Sequence, residues 1–270
     1  VPPTPGHAVP MRPNNSGLFT IGGVFKEKGY EALYLYGGYS YFDNMASFFG
    51  GNGYTVIDRT AIDKKDIHHE NIWGVADEDL FDLALREIDT RVAAGKKVFA
   101  HVMTTSNHRP YTYPADRIDI PSGTGRDGAV KYTDFAIGQF VDKARQRPWF
   151  DNTLFVFVAD HTSIARGRSD LPMERYHIPM VMYAPGKITP RRVDALSSQI
   201  DVAPTLLGWL NVPYVSEFFG RDVLRDGGPA PSLFMANYQT VGFVGEGMQV
   251  ELRPKQATRV TGVDGSTPTT

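Results

Sequence analysis

The chain contains no cysteine, which excludes disulfides, thiolate metal sites and a cysteine nucleophile. That absence is compatible with an oxidising compartment without demonstrating one. No stretch approaches the roughly 18 consecutive apolar residues that cross a bilayer. Charge of one sign is missing too: 28 basic residues stand against 30 acidic ones, a formal net charge of −2. With no basic stripe and no run of five like charges, a nucleic-acid partner is not expected. The first residues, Val1-Pro-Pro-Thr-Pro-Gly6, hold neither a basic leader nor an apolar core, so they are not a signal peptide. They also lack an initiating methionine, and on that ground the chain is expected to be part of a longer protein.

What is present is ordinary for a globular protein. Of 270 residues, 41% are hydrophobic, enough for one large α/β domain or two small ones. Residues 1–17 hold five prolines and two glycines and read as an extended surface segment. Leu18 to Gly29 has helical periodicity and a glycine stop. Ala32 to Tyr36 is continuously apolar, as a buried parallel strand requires, and Gly37-Gly38 breaks it. Asp77 to Ala94 repeats the helix and Lys97 to Met103 the strand. A long helix is expected over Asp127 to Arg147 and a buried strand over Thr153 to Ala159. A further strand is expected over Ile178 to Tyr183, then a helix over Ser198 to Leu210. After Pro229 the pattern weakens, and Thr258 to Thr270 are expected to fray.

Helices alternating with continuously apolar strands predict an α/β fold: a doubly wound, mostly parallel sheet flanked by helices. In such sheets functional groups gather beyond the carboxyl ends of the strands. Three loops are thereby singled out, after Tyr36, after Met103 and after Ala159.

Asp160-His161 is the sharpest local signal. A carboxylate and an imidazole leave one strand end together, and both suit Zn²⁺ or Mn²⁺. The alternative is a capping aspartate beside an incidental histidine. Of seven histidines, two more stand at strand–loop junctions: His108 in Thr105-Ser-Asn-His-Arg-Pro110, and His177 just before Ile178-Pro179. Arg109 follows His108, and Arg166 and Arg168 follow the Asp-His pair. Guanidinium groups near a metal suit a phosphate or sulfate ester, though solvated loop arginines are the simpler reading of Arg166 and Arg168. Tyr39, Tyr41 and Asp43 fall in the first loop and can line a pocket. Gly37-Gly38 and Gly50-Gly51-Asn52-Gly53 match no phosphate-binding loop and are expected to be plain turns.

Together these segments resemble a known family. The carriers are Leu35-Tyr-Gly-Gly-Tyr-Ser-Tyr-Phe-Asp-Asn-Met45, Thr105 to Tyr111, Val158-Ala-Asp-His161 and Ser198-Gln-Ile-Asp-Val-Ala-Pro-Thr-Leu-Leu207. Their order and spacing resemble the lipoteichoic acid synthases and phosphoglycerol transferases, sulfatase-like members of the alkaline phosphatase superfamily. The match runs from about Pro2 to Leu224. His177 before Ile-Pro also resembles an element of the related phosphoethanolamine transferases.

The resemblance implies an alkaline-phosphatase-like fold, with residues 1–228 as the C-terminal part of the catalytic domain and 229–270 as an extension packing on it. It implies that Asp160 and His161 ligate a divalent ion, with Mn²⁺ first in expectation and Zn²⁺ or Mg²⁺ as alternatives. It gives His108 the acid–base role and contact with substrate phosphate. Arg109, His177, Asp43 and Tyr41 join the substrate-binding set. The family's remaining metal ligand, a glutamate, and its nucleophilic threonine lie upstream of the Pro-Pro-Thr-Pro-Gly element, where this chain begins. The family's pocket tryptophan and arginine correspond here to Asp43 and Met45, a departure that weighs against a glycerophosphate-specific pocket.

The implied function is transfer of a phosphoglycerol-type head group from a phospholipid donor to a glycan or lipid acceptor through a phosphothreonine. It is placed in an extracytoplasmic, periplasmic domain of an inner-membrane protein with an N-terminal anchor outside this chain. Hydrolysis on the same fold, as in a sulfatase or phosphodiesterase, is the alternative. A non-catalytic envelope binding module is the second. Oligomeric state is not legible.

Overall fold

The structure, a computed structural model, describes residues 8–162, 171–228 and 230–263. The expectations placed on Pro2–Gly6, on Arg166 and Arg168 and on residues 264–270 lie outside the described residues. Val9–Thr153 form one compact unit, and Leu154–Thr270 with Val1–Ala8 form a second.

The first unit opens with α1 (Ile21–Glu27). It starts later than the periodicity suggests because the Thr20 hydroxyl accepts the Gly23 N–H at 3.0 Å and caps the helix. Gly29 terminates it at φ +80°, a backbone angle that favours glycine. β1 (Tyr30–Tyr36), α2 (Met45–Gly51), β2 (Thr55–Asp58), α3 (Asp77–Ala93), β3 (Lys97–Met103) and α4 (Arg126–Ala144) follow. β1 lies between β2 and β3 and is parallel to both.

Alternation along β1 explains why its run is apolar throughout. Leu33 and Leu35 pack with Leu80, Leu83 and Ala84 of α3, while Ala32, Tyr34 and Tyr36 pack with Met45, Phe49 and Tyr54 around α2. Both sheet faces are thus covered, and Leu33, Leu35 and Leu80 are 0% exposed. Each such leucine contributes about 1.5–3 kcal/mol through burial. On α4, Ala129, Tyr132, Ala136, Phe140 and Ala144 recur every third or fourth residue and form the buried stripe. Phe140 stacks on Phe81 of α3, ring centroids 4.9 Å apart.

Parallel register aligns the strand ends. Tyr36 pairs with Asp58 on one side and with Met103 on the other. The segments after β1, β2 and β3 therefore leave the sheet along one edge, where an α/β fold places its functional groups. Gly37-Gly38 is more than a turn there. The Gly37 carbonyl accepts the Val75 N–H at 2.9 Å, and a side chain on Gly38 or Gly74 would collide with the Trp73 or Gly37 carbonyl. The glycines permit two backbones to run side by side.

The second unit departs further from expectation. The strand expected as buried and parallel is β4 (Phe155–Val158), and it pairs antiparallel with β5 (Met180–Tyr183). Only Phe155 of β4 is buried, and Val158 is 43% exposed. A continuous apolar run signals a strand but does not encode its direction. α5 (Val202–Trp209) buries Leu206 and Leu207 as expected. The weakly patterned tail is an antiparallel sheet of β6 (Ser232–Ala236), β7 (Val241–Gly245), β8 (Met248–Leu252) and β9 (Thr258–Gly262) in that order. Thr258–Gly262 is thus a paired strand, where fraying was expected. Met235 and Val244 of this sheet form a buried cluster with Leu171.

Candidate active site

In the first unit, the loop after β3 carries His108, and its backbone is held from below. Asp77, in the first turn of α3, is 0% exposed. Its Oδ1 accepts the N–H groups of Thr105 at 3.1 Å and Ser106 at 3.0 Å, and its Oδ2 accepts the Thr133 hydroxyl at 2.6 Å. Burial pushes the Asp77 carboxyl above the usual range, while these hydrogen bonds pull it down. Asn107 donates to the Thr133 oxygen at 2.7 Å, so α4 is tied to the same loop.

His108 itself is exposed. Its ring lies against Trp73, centroids 3.6 Å apart. The edge of Trp73 meets Phe42 at 5.5 Å. Tyr39 stacks on Tyr41 at 5.7 Å and lies under the Arg59 guanidinium at 4.7 Å. Arg59 is neutralised by Glu70. Trp73 therefore joins the His108 loop to the Tyr39–Asn44 loop, although neither its spacing nor its chemistry marked it in the sequence.

Tyr41 is 78% exposed, and Asp43 is exposed on a left-handed backbone at φ +46°, next to Asn44 at φ +60°. Consecutive non-glycine residues in this region carry strain. Asp58 anchors the loop by accepting the Ser40 N–H at 2.9 Å and the Ser40 hydroxyl at 2.7 Å. Burial alone would raise the Asp58 carboxyl, but bonds from Thr60 and Ser40 outweigh it and hold the group below its ordinary range.

Arg109 and Tyr111 continue the His108 loop. Arg126 donates to the Tyr111 hydroxyl at 2.9 Å from the first turn of α4.

In the second unit, Asp160 and His161 follow β4. The His161 N–H donates to Asp160 Oδ1 at 2.8 Å, and the His161 Nε2 lies 3.3 Å from Asp160 Oδ2. Both side chains are largely exposed, 72% and 63%. The Ala159 N–H donates to the Pro179 carbonyl at 3.4 Å, and the Thr162 hydroxyl donates to the Arg175 carbonyl. His177, exposed, precedes β5 and lies in the chain between Arg175 and Pro179, whose carbonyls accept those two bonds. The Gln199 amide donates to the carbonyls of Ala159 at 3.1 Å and Asp160 at 2.6 Å. Gln199 opens the 3-10 turn Gln199–Asp201 that leads into α5, where the Asp201 carboxylate accepts the Ser198 N–H at 2.8 Å in a capping box.

A vicinal carboxylate and imidazole, accessible and 3.3 Å apart, fit a divalent ion as two of its ligands. Among the described residues, His68, Glu78 and Asp79 also bring three ligand-type atoms within 4.8 Å of one another. Those atoms have other partners: Glu78 pairs with Arg117 at 3.0–3.2 Å, and Asp79 Oδ1 lies 2.5 Å from His68 Nδ1.

The sulfatase family model matches residues 2–212. The chain belongs to the sulfatase family, an enzyme family. It is 27% identical over 226 residues to phosphoglycerol transferase I of Xanthomonas campestris pv. campestris strain B100, covering 80% of this chain and 32% of that protein. To lipoteichoic acid synthase 1 of Bacillus subtilis it is 23% identical over 203 residues, covering 67% and 31%. The chain thus spans about a third of the length of the curated relatives it matches.

Among solved structures, an alkaline phosphatase superfamily protein from Vibrio parahaemolyticus is similar at a TM-score of 0.90 and 33% identity, over 97% of this chain and 64% of that one. The lipoteichoic acid synthase LtaP of Listeria monocytogenes shares the fold at a TM-score of 0.77 and 20% identity, over 94% and 68%. The fold is therefore that of the alkaline phosphatase superfamily, as the sequence resemblance implies.

Proposed function

We propose that this sulfatase-family chain supplies part of the catalytic domain of a metal-dependent phosphotransferase. In this reading the enzyme moves a phosphoglycerol-type head group from a phospholipid to a glycan or lipid acceptor. The observation that carries it is the similarity, over 80% of the chain, to a protein named phosphoglycerol transferase I, with Asp160-His161 and the His108 loop inside the family match.

Asp160 and His161 would hold a divalent ion, Mn²⁺ by expectation, which supplies Lewis-acid stabilisation of phosphoryl charge when bound. The chain's own residues supply the rest. Arg109 pairs with the phosphoryl oxygens. His108, exposed and backed by Trp73, moves the proton: its imidazole passes a proton to the leaving oxygen or takes one from the acceptor hydroxyl. Tyr41, Asp43 and His177 contact substrate. The threonine nucleophile belongs, in the family pattern, upstream of Pro2, and no residue of this chain is given that role.

The enzyme is placed in the bacterial envelope, outside the cytoplasm, with residues 229–270 as an extension of a catalytic domain that includes 1–228. Among the described residues no helix is long and apolar enough to cross a membrane. Attachment to the membrane would come from a segment outside this chain. Hydrolysis is the second reading, favoured by the match to the sulfatase family itself.

Titration of the intact protein with Mn²⁺ and Zn²⁺ by calorimetry, beside Asp160→Asn, tests the metal reading. Saturable binding that the variant loses supports it, and an intact protein that binds neither ion overturns it. Release of glycerol phosphate to water alone, with no acceptor product, would select hydrolysis over transfer.

A further inference from the structure

Beyond α5 the second unit holds a cavity of about 440 Å³, whose lining includes Pro204, Tyr214, Arg221, Asp222, Arg225 and Asp226. The chain that forms its wall is fixed to α5 and to the turn before it. The Arg221 N–H donates to the buried Asp201 carboxylate at 2.8 Å, and the Val223 N–H donates to the Thr205 hydroxyl at 3.1 Å. A Cβ on Gly220 would collide with the Ile200 carbonyl, and one on Gly208 with the Asp222 carboxylate. The two glycines thus let the segment close on the helix and set where Arg221 and Asp222 stand.

The charges on this lining do not pair with one another. Among the described residues neither Arg221 nor Arg225 has a carboxylate within ion-pair distance, whereas Arg59, Arg117, Arg192 and Arg253 do. Arg221 is oriented through Nη2, which donates to the Leu196 carbonyl at 2.8 Å, and Asp222 through Oδ1, which accepts the Leu224 N–H at 2.9 Å. Two cations and two carboxylates cancel, so the cavity selects no ion of either sign. It offers donors beside acceptors instead, next to an aromatic wall: Tyr214 meets Phe218 at 5.8 Å between ring centroids. Separate surface charges are satisfied by water, but these four converge on one concave site with a ring beside them. A hydroxyl both donates and accepts, and a pyranose carries several of them around a ring with apolar C–H faces. Such a ligand matches both guanidiniums and both carboxylates together, where a single anion or cation leaves half of them unmatched.

We propose that this cavity binds a neutral glycan, with Tyr214 against the apolar face of a sugar ring, Arg221 and Arg225 donating to its hydroxyls, and Asp222 and Asp226 accepting from them. The inference rests on the proposed phosphotransfer only for the role of that glycan, which is the acceptor side of the reaction. It narrows the acceptor from a glycan or lipid to a glycan.

The test is saturation-transfer NMR of the intact protein in buffer containing a chelator. The probes are neutral trisaccharides of glucose, galactose, mannose and N-acetylglucosamine, with glycine betaine and glycerol phosphate as charged controls. At least one trisaccharide is expected to bind saturably, with an affinity that stays constant between about 0.05 and 0.3 M salt because no net charge is matched. Arg225→Ala and Asp226→Ala, both at exposed positions, should each weaken that affinity at least about fivefold. Tyr214→Leu, which keeps bulk and loses the ring, should weaken it by about as much. The proposal is overturned if no trisaccharide saturates, or if the affinity is the same in Arg225→Ala and Asp226→Ala as in the parent protein. Saturation by glycine betaine or glycerol phosphate without any sugar response also overturns it, since the lining would then serve an ion. Binding is read without metal, lipid donor or turnover, so its failure is distinct from failure of the Asp160 titration.

Discussion

Asp77 and Ser106 bind each other reciprocally: the Asp77 N–H donates to the Ser106 hydroxyl at 3.1 Å, and the Ser106 N–H donates to Asp77 Oδ1 at 3.0 Å. The start of α3 and the loop after β3 are thereby fixed as one piece, with both residues buried. Removing the carboxylate strands two buried N–H groups, each costing about 1–3 kcal/mol. Asp77→Ala is therefore expected to lose about 2–5 kcal/mol in urea unfolding. Asp77→Asn keeps one oxygen for both N–H groups and turns its amide towards Thr133. Its expected loss is under about 1.5 kcal/mol. Equal losses in the two variants would mean that Asp77 matters for volume and not for its acceptors.

His108 takes its orientation from Trp73, ring centroids 3.6 Å apart. A ring this close shifts the His108 proton resonances upfield, and Trp73→Ala is expected to return them to ordinary values. Loss of orientation without loss of the imidazole should lower kcat of the intact enzyme by about ten- to a hundredfold, with KM less affected. Trp73→Phe, which keeps a ring, should recover most of the rate. A kcat that Trp73→Ala leaves unchanged would remove the positioning role.

Much of this was legible beforehand, and the failures have physical causes. The strand Lys97–Met103 and the helix from Asp77 were readable because long apolar periods fix both type and phase. β2 went unnoticed because four residues carry too little period. The sheet from Ser232 to Gly262 was missed at its turns. Glu246 and Gly247 form a two-residue hairpin with φ +51° and +75°, the turn usually signalled by Asn-Gly, and glutamate hides it. Within the candidate site, His108, Asp160 and His161 announced themselves by chemistry at strand ends. Trp73, Asp77 and Arg126 act by contact across the fold, through partners about 29 to 35 residues away or at a helix start, and no local pattern marks such pairs.

The His68–Asp79 pair gives the first unit a pH dependence. His68 Nδ1 lies 2.5 Å from Asp79 Oδ1, and this bond foremost raises the His68 pKa above 6.5, with Glu78 adding and Arg117 opposing. Burial also raises the Asp79 carboxyl, so both shifts act in one direction on stability. A raised folded-state pKa means that folding takes up a proton. The His68 contribution is complete below about pH 6.5 and is lost as pH rises through the higher folded value. The His68 side chain is 53% exposed, so solvent screening keeps the effect below about 1 kcal/mol. The urea midpoint should fall between pH 6 and pH 8.5, and His68→Gln should flatten that slope. A slope that persists in the variant would place the titrating group elsewhere.

The C-terminal sheet holds the segment that leads to His177. Leu171, 0% exposed, packs against Met235 and Val244, and its carbonyl accepts the Gln249 amide at 2.8 Å. The same amide donates to buried Glu251, which Arg253 neutralises. Gly242 has no side chain because a Cβ there would lie 2.8 Å from Leu171 Cδ1, too close for packed atoms. Gly242→Ala should therefore displace Leu171 and cost about 1–3 kcal/mol. In a domain of this size that is a fall in Tm of roughly 2–10 °C. Gln249→Leu leaves the Leu171 carbonyl and one Glu251 oxygen short of a donor and should cost a similar amount. Amide exchange separates packing from position: the amides of Tyr176 to Met180 should lose protection in both variants, while those of α3 keep theirs. If Tyr176 to Met180 stay protected, the sheet stabilises the unit without holding the His177 segment.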